Sequence, residues 1–108
     1  MTSIAEQTLA VQLEQAGIDY HREFQFHPTR RWRADFIVEP ILPALLLVEI
    51  DGGGYVGGRH GRGQGMANDA EKQSAAAILG YRVVRATPAQ VADGSCLAWI
   101  KAALGMAA

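Results

Sequence analysis

From Tyr20 to His27 the chain alternates, with Tyr20, Arg22, Phe24 and Phe26 on one side and His21, Glu23, Gln25 and His27 on the other. Period two over eight residues predicts a half-buried strand. A second alternation follows the "HPTR" turn. Trp32, Ala34, Phe36 and Val38 oppose Arg31, Arg33, Asp35 and Ile37, which predicts a second strand. Pro40 and Pro43 bracket a short connection to a third, Ala44 to Ile50, whose run of Leu45, Leu46, Leu47 and Val48 suits a sheet interior. Before these strands, Ser3 and Glu6 have capping-box spacing. Ile4, Leu9, Val11, Leu13 and Ala16 give an apolar helical face, and Gly17 is a natural stop.

After the glycine-rich stretch, "MANDAEKQSAAAILG" has helix-forming composition, with Asn68 or Asp69 in its first turn and Gly80 at its end. "YRVVRA" reads as a fourth strand, Thr87-Pro88 opens a helical turn, and a last helix is capped by Ser95. The predicted order is α-β-β-β-α-β-α. Three strands on short connections form an antiparallel meander, and the fourth, reached through a helix, pairs parallel to a strand of that sheet. The fold class expected is α/β, a mixed four-stranded sheet flanked by helices.

Bulk properties narrow the class. A chain of 108 residues, 49% of them hydrophobic, is expected to be a single domain, 1-108, with one core. The single cysteine, Cys96, makes no internal disulfide. With no signal-like leader and no apolar run of membrane length, the expected compartment is the cytoplasm, with no membrane partner. A net charge of -1 argues against coating nucleic acid by bulk electrostatics. Distribution changes that picture: eight of the ten basic residues are arginine, and six of those lie between Arg22 and Arg62. Their planar forks suit phosphate or carboxylate.

Candidate chemistry gathers around the third strand. Glu49 and Asp51, two apart at its end, share a face. If the second and third strands pair antiparallel, Asp35 lies beside Glu49. Like charges so placed repel unless a cation or proton compensates. Three converging carboxylates make a site for a hard divalent cation such as Mg²⁺. The plainer alternative is that these acids cap strands or pair with Arg31 and Arg33. The loop beyond carries Tyr55, Arg59, His60 and Arg62 among eight glycines from Gly52 to Gly65. It lacks the Gly-Lys-Ser/Thr of a nucleotide P-loop. Cationic donors beside carboxylates suit a phosphodiester. His60 is either a general acid or base or a solvated loop histidine. Asp69 and Lys72, three apart, either form an ion pair or face the acids. Trp32 and Trp99 read as core, and Arg82 and Arg85 flank Val83-Val84, so that one of them faces the acids.

Taken together, "WRADF", "LLLVEIDGGGYVGGRH" and "NDAEKQSAAAILGYRVVRAT" resemble the PD-(D/E)xK nuclease superfamily, and within it small proteins similar to very-short-patch-repair endonucleases. The matching positions are Glu6, Asp35, Glu49 with Asp51-Gly52, His60, Asp69 with Lys72, and Gly80 to Arg85. The resemblance implies a restriction-endonuclease-like core in a bacterial or phage-encoded protein. It also implies metal-dependent hydrolysis of DNA. Asp35, Glu49 and the carbonyl of Ile50 would hold Mg²⁺ or Mn²⁺. His60 would assist as base or by holding phosphate, and Asp51 would orient it or bind a second metal. Glu6 is matched equally well by its capping-box role. Arg31, Arg33, Arg59, Arg62 and Tyr55 would face DNA phosphates. Asp51 stands where the superfamily motif has lysine, so Lys72 or His60 would take over that charge. Cutting both strands needs two sites, which leaves a homodimer and a nickase open. Two rivals are a catalytically inactive nucleic-acid-binding module and a phosphatase using the same site.

Overall fold

The computed structural model describes residues 3–41, 44–52 and 62–106. The elements in chain order are α1 (Ile4–Gln15), β1 (Tyr20–Gln25), β2 (Arg33–Ile41), β3 (Ala44–Ile50), α2 (Arg62–Ile78), β4 (Arg82–Ala86), α3 (Pro88–Ala92) and α4 (Ser95–Ala103). The described strands form one sheet in the order β1-β2-β3-β4. β1, β2 and β3 pair antiparallel, and β4, reached through α2, lies parallel to β3. The mixed α/β layering, the antiparallel meander and the parallel fourth strand expected from the sequence are all present, and β3 is the partner of β4 that the sequence left open.

Helices cover both faces. On one, Leu9 and Leu13 of α1 pack with Phe36, Val38, Leu46, Val48, Val91 and Ile100, all almost wholly buried. On the other, Ala76 of α2 packs with Phe26, Ala34, Ile37 and Leu47. Burying one such side chain contributes about 1.5–3 kcal/mol, so these two clusters dominate the fold's stability. Cys96 belongs to the first cluster. Burial pushes its thiol up to about 11, which makes it a packing residue rather than a nucleophile. Among the described residues no helix is long and apolar enough to cross a membrane.

Local signals explain the boundaries. Ser3 Oγ accepts from the Glu6 N–H, starting α1. Gly17 (φ 72°) and Gly80 (φ 94°) end α1 and α2, and the N–H groups of Ile18 and Tyr81 reach back to Leu13 and Ala76. That six-to-one closure needs a left-handed residue, which glycine supplies without strain. Thr87 and Gln90 cap α3 reciprocally, with Pro88 at the first position. Pro40 falls at the far end of β2, where the register with β3 shifts between Val38 and Ile41, so its missing N–H removes no regular ladder bond.

Several expectations need correction. The alternation in β1 and β2 does not hold along their length. Tyr20 and Phe36 belong with the α1-side core, whereas Phe24, Phe26, Trp32 and Ala34 belong with the α2-side core. The phase reverses at Glu23, whose φ of 53° is left-handed, and at Asp35, where the β1-β2 register is interrupted. Such a conformation costs a residue bearing a Cβ roughly 1–2 kcal/mol. α2 begins at Arg62, inside the stretch read as loop, so Asn68 and Asp69 lie beyond its first turn. Ser95 does not cap α4: Gly94 holds the cap position, and the Ser95 N–H donates to Asp93 Oδ1 at 2.8 Å. Trp99, expected in the core, is 42% exposed on α4.

Candidate active site

The ladder between β2 and β3 runs regularly to the Phe36–Val48 pair. One step further, side chains take over from backbone. The Asp35 N–H donates to Glu49 Oε2 at 3.0 Å, and the Ile50 N–H donates to Asp35 Oδ2 at 2.7 Å. Two acids on adjacent strands are thus interlocked, each accepting a backbone N–H of the opposite strand. The Glu49 carboxylate makes a second contact, with Lys72 Nζ at 2.6 Å from its Oε1. The Lys72 and Glu49 side chains are both mostly buried, so water screens this pair less than an exposed one.

α2 places Lys72 there through its spacing. Asp69, Lys72, Gln73 and Ala76 fall at helical intervals of three and four and line the gap between α2 and the sheet. On β4, Arg85 leaves the sheet on the same face as Val83. Its guanidinium donates to Asp51 Oδ1 at 2.5 Å, to Asp69 Oδ2 at 2.9 Å and to Gln73 Oε1 at 2.8 Å. The hydrogen bond to Asp51, and then that to Asp69, hold its proton more tightly than usual. Of the two strand arginines, Arg85 is therefore the one that meets the acids. Arg82 donates instead to the Ala103 carbonyl of α4.

The first helix adds negative charge. One carboxylate oxygen from each of Glu6, Glu23 and Asp35 lies within 4.8 Å of the others. Glu6 is paired with Arg22 at 3.3 Å, and the Arg22 guanidinium lies 5.4 Å from the Phe36 ring centre. Asp35 responds to this crowding. Burial, and then the charges of Glu49 and Glu6, push its carboxyl up to about 6, against the opposing hydrogen bond from Ile50 and the charge of Lys72.

The residues read from the sequence therefore divide into three sets. Asp35, Glu49 and Lys72 form one connected group. Asp51 and Asp69 form a second, joined through Arg85, so Asp51 does not complete a three-acid cluster with Asp35 and Glu49. Glu6 approaches Asp35 from α1, and its carboxylate contacts Arg22 while its backbone completes the Ser3 cap. Arg31 and Arg33 are exposed beside the start of β2. Arg62 opens α2, while Tyr55, Arg59 and His60 lie outside the described residues. Glu23 was not anticipated, because period two placed it among surface positions. His27, another uncommitted residue, organises its turn by accepting the N–H groups of Thr29 and Arg30 at Nδ1.

The donor set suits a hard divalent cation. Asp35 and Glu49 supply carboxylate oxygens, the Ile50 carbonyl is adjacent in the chain, and Asp35 is raised by burial first and by the charges of Glu49 and Glu6 second. The reciprocal use of both acids by the ladder's end also shows that their placement is built into the sheet. No protein-family model, no curated protein and no solved structure matches this chain.

Proposed function

We propose that the chain is a metal-dependent DNA endonuclease with a restriction-endonuclease-like core of the PD-(D/E)xK kind. The interlocked Asp35–Glu49 pair, with Lys72 delivered to it from α2, is the observation that carries this reading. Asp35, Glu49 and the Ile50 carbonyl would hold Mg²⁺ or Mn²⁺. Such an ion, when bound, lowers the pKa of coordinated water and offsets charge on a phosphate. Lys72 takes the place of the lysine absent at position 51, offsetting negative charge on the phosphoryl oxygens. The exposed Arg31 and Arg33 offer bidentate contacts to flanking phosphates. The resemblance assigns Arg59, Arg62 and Tyr55 to phosphate contacts and His60 to the role of base or phosphate holder. A single site on a small domain fits a nickase, and a homodimer would cut both strands.

A second reading, an inactive nucleic-acid-binding module, also has a specific observation behind it. Both Glu49 oxygens are already engaged, one by the Asp35 N–H and one by the Lys72 ammonium. Supercoiled plasmid incubated with Mg²⁺ or Mn²⁺ separates the two readings. The nuclease converts it to nicked or linear product, and Asp35→Asn reduces the rate at least a hundredfold while gel retention of DNA persists. Retention by the unaltered protein with intact plasmid in both metals selects the inactive module. Equal cutting by Asp35→Asn discards the arrangement of roles given above.

A further inference from the structure

Arg85 contacts three segments with one planar group. β4 carries it, Asp51 extends from the end of β3, and Asp69 and Gln73 sit one turn apart on α2 with Lys72 between them. We propose that Arg85 is a positioning residue: by holding Asp69 and Gln73 it sets the rotation of α2 that brings Lys72 to Glu49, and by holding Asp51 it keeps a third carboxylate away from the Asp35–Glu49 pair. This inference rests on the reading of that pair as the centre of a nuclease site.

The geometry separates this role from that of an ordinary surface ion pair. The Arg85 side chain is three-quarters buried and uses two nitrogens on three acceptors, a demand that a fork meets and a point charge does not. Lysine at this position would retain the charge but reach fewer of the acceptors. Without any cation there, Asp51 and Asp69 would repel across the gap between β3 and α2. Lys72, on a flexible four-carbon stem, depends on the helix for its aim, since each residue step turns the direction of a side chain by about 100°.

Two measurements test the proposal on the intact chain. The first requires neither DNA nor metal. Carbodiimide activates a carboxylate and couples it to an adjacent amine as an amide, so a Lys72–Glu49 cross-link read by peptide mass spectrometry reports that contact. Arg85→Gln lowers the cross-link yield at least fivefold, and Arg85→Lys restores part of it. The second is nicking kinetics. Arg85→Gln lowers kcat at least tenfold with KM within twofold, and in a Lys72→Met background the same change alters kcat less than twofold, because Arg85 acts through Lys72. An unchanged cross-link in folded Arg85→Gln, or losses that multiply in the double variant, overturns the proposal. If the unaltered protein does not nick DNA, the nuclease reading fails and the cross-link alone decides the positioning role. Should Arg85→Gln fail to fold by circular dichroism, Arg85→Lys carries both comparisons, with a smaller loss expected and no loss overturning it.

Discussion

Replacing Asp35 by asparagine keeps the shape of the side chain and an oxygen for the Ile50 N–H, but removes the charge. In the folded chain the Asp35 carboxyl is pushed up from 3.8 to about 6. Between those values the folded state binds more protons than the unfolded state, so stability falls as pH rises through that window. An ionised Asp35 therefore destabilises the native state at neutral pH. The shift corresponds to at most about 3 kcal/mol, and solvent reaching this half-buried group reduces that to about 1–2 kcal/mol. Asp35→Asn is expected to be more stable than the unaltered protein by this amount at pH 7.5. The advantage should disappear near pH 4, where the unaltered carboxyl is protonated in the folded state. Urea melts at half-unit pH intervals measure it, with midpoints converted through a common slope. A substitution that destabilises at pH 7.5, or a difference that stays constant from pH 4 to 8, refutes the reasoning. Gained stability with lost nicking would be the usual exchange at a site built for charge rather than for rest.

Other expectations follow from the same geometry. Mg²⁺ at ten times its dissociation constant should stabilise the unaltered protein by about 1.4 kcal/mol at pH 7.5 and leave Asp35→Asn nearly unmoved, as thermal melts with and without the ion would show. Leu13→Ala, in the centre of the α1-side core and fully buried, should cost about 3 kcal/mol by urea denaturation without altering the contacts of Asp35 and Glu49. Gly17→Ala should cost about 1 kcal/mol through backbone strain alone, since a Cβ there would meet nothing within 4 Å. Thr87→Ala removes one half of a reciprocal cap and should cost about 1 kcal/mol in the same assay.

Local rules made much of this architecture legible. Gly17 and Gly80 announced two helix ends, short connections implied the meander, and the helix before β4 implied that it pairs parallel to a strand of the sheet, though not that this strand is β3. The alternation of Arg82 and Arg85 with Val84 and Val83 put one arginine on the acidic side, but which of the two it was came only from the contacts of Arg85 with Asp51 and Asp69. The proximity of Asp35 and Glu49 followed from antiparallel strands joined by a short link. What could not be read depended on departures from local rules. Glu23 takes a left-handed conformation that glycine, not glutamate, would advertise, so the phase reversal and the approach of Glu23 to Asp35 had no local signal. Gly63 and Gly65 disguised the first turn of α2, because the helix propensity of glycine is poor. Ser95 has the chemistry of a cap, but Asp93 reaches its N–H first and moves the boundary by one residue. Trp99 is apolar enough for the core, yet the α4 face towards the sheet is filled by Cys96 and Ile100.

The reversal at Glu23 and Asp35 has a bearing on how this domain tolerates change. Residues on either side of the crossover belong to different hydrophobic layers, and the aspartate at the changeover is claimed by neither. Altering it opens no hole in either layer. The chemistry at that point can therefore be exchanged while the surrounding scaffold keeps its shape, provided the replacement still accepts the Ile50 N–H that Asp35 holds, which makes position 35 a place to graft a new reactive group of similar length.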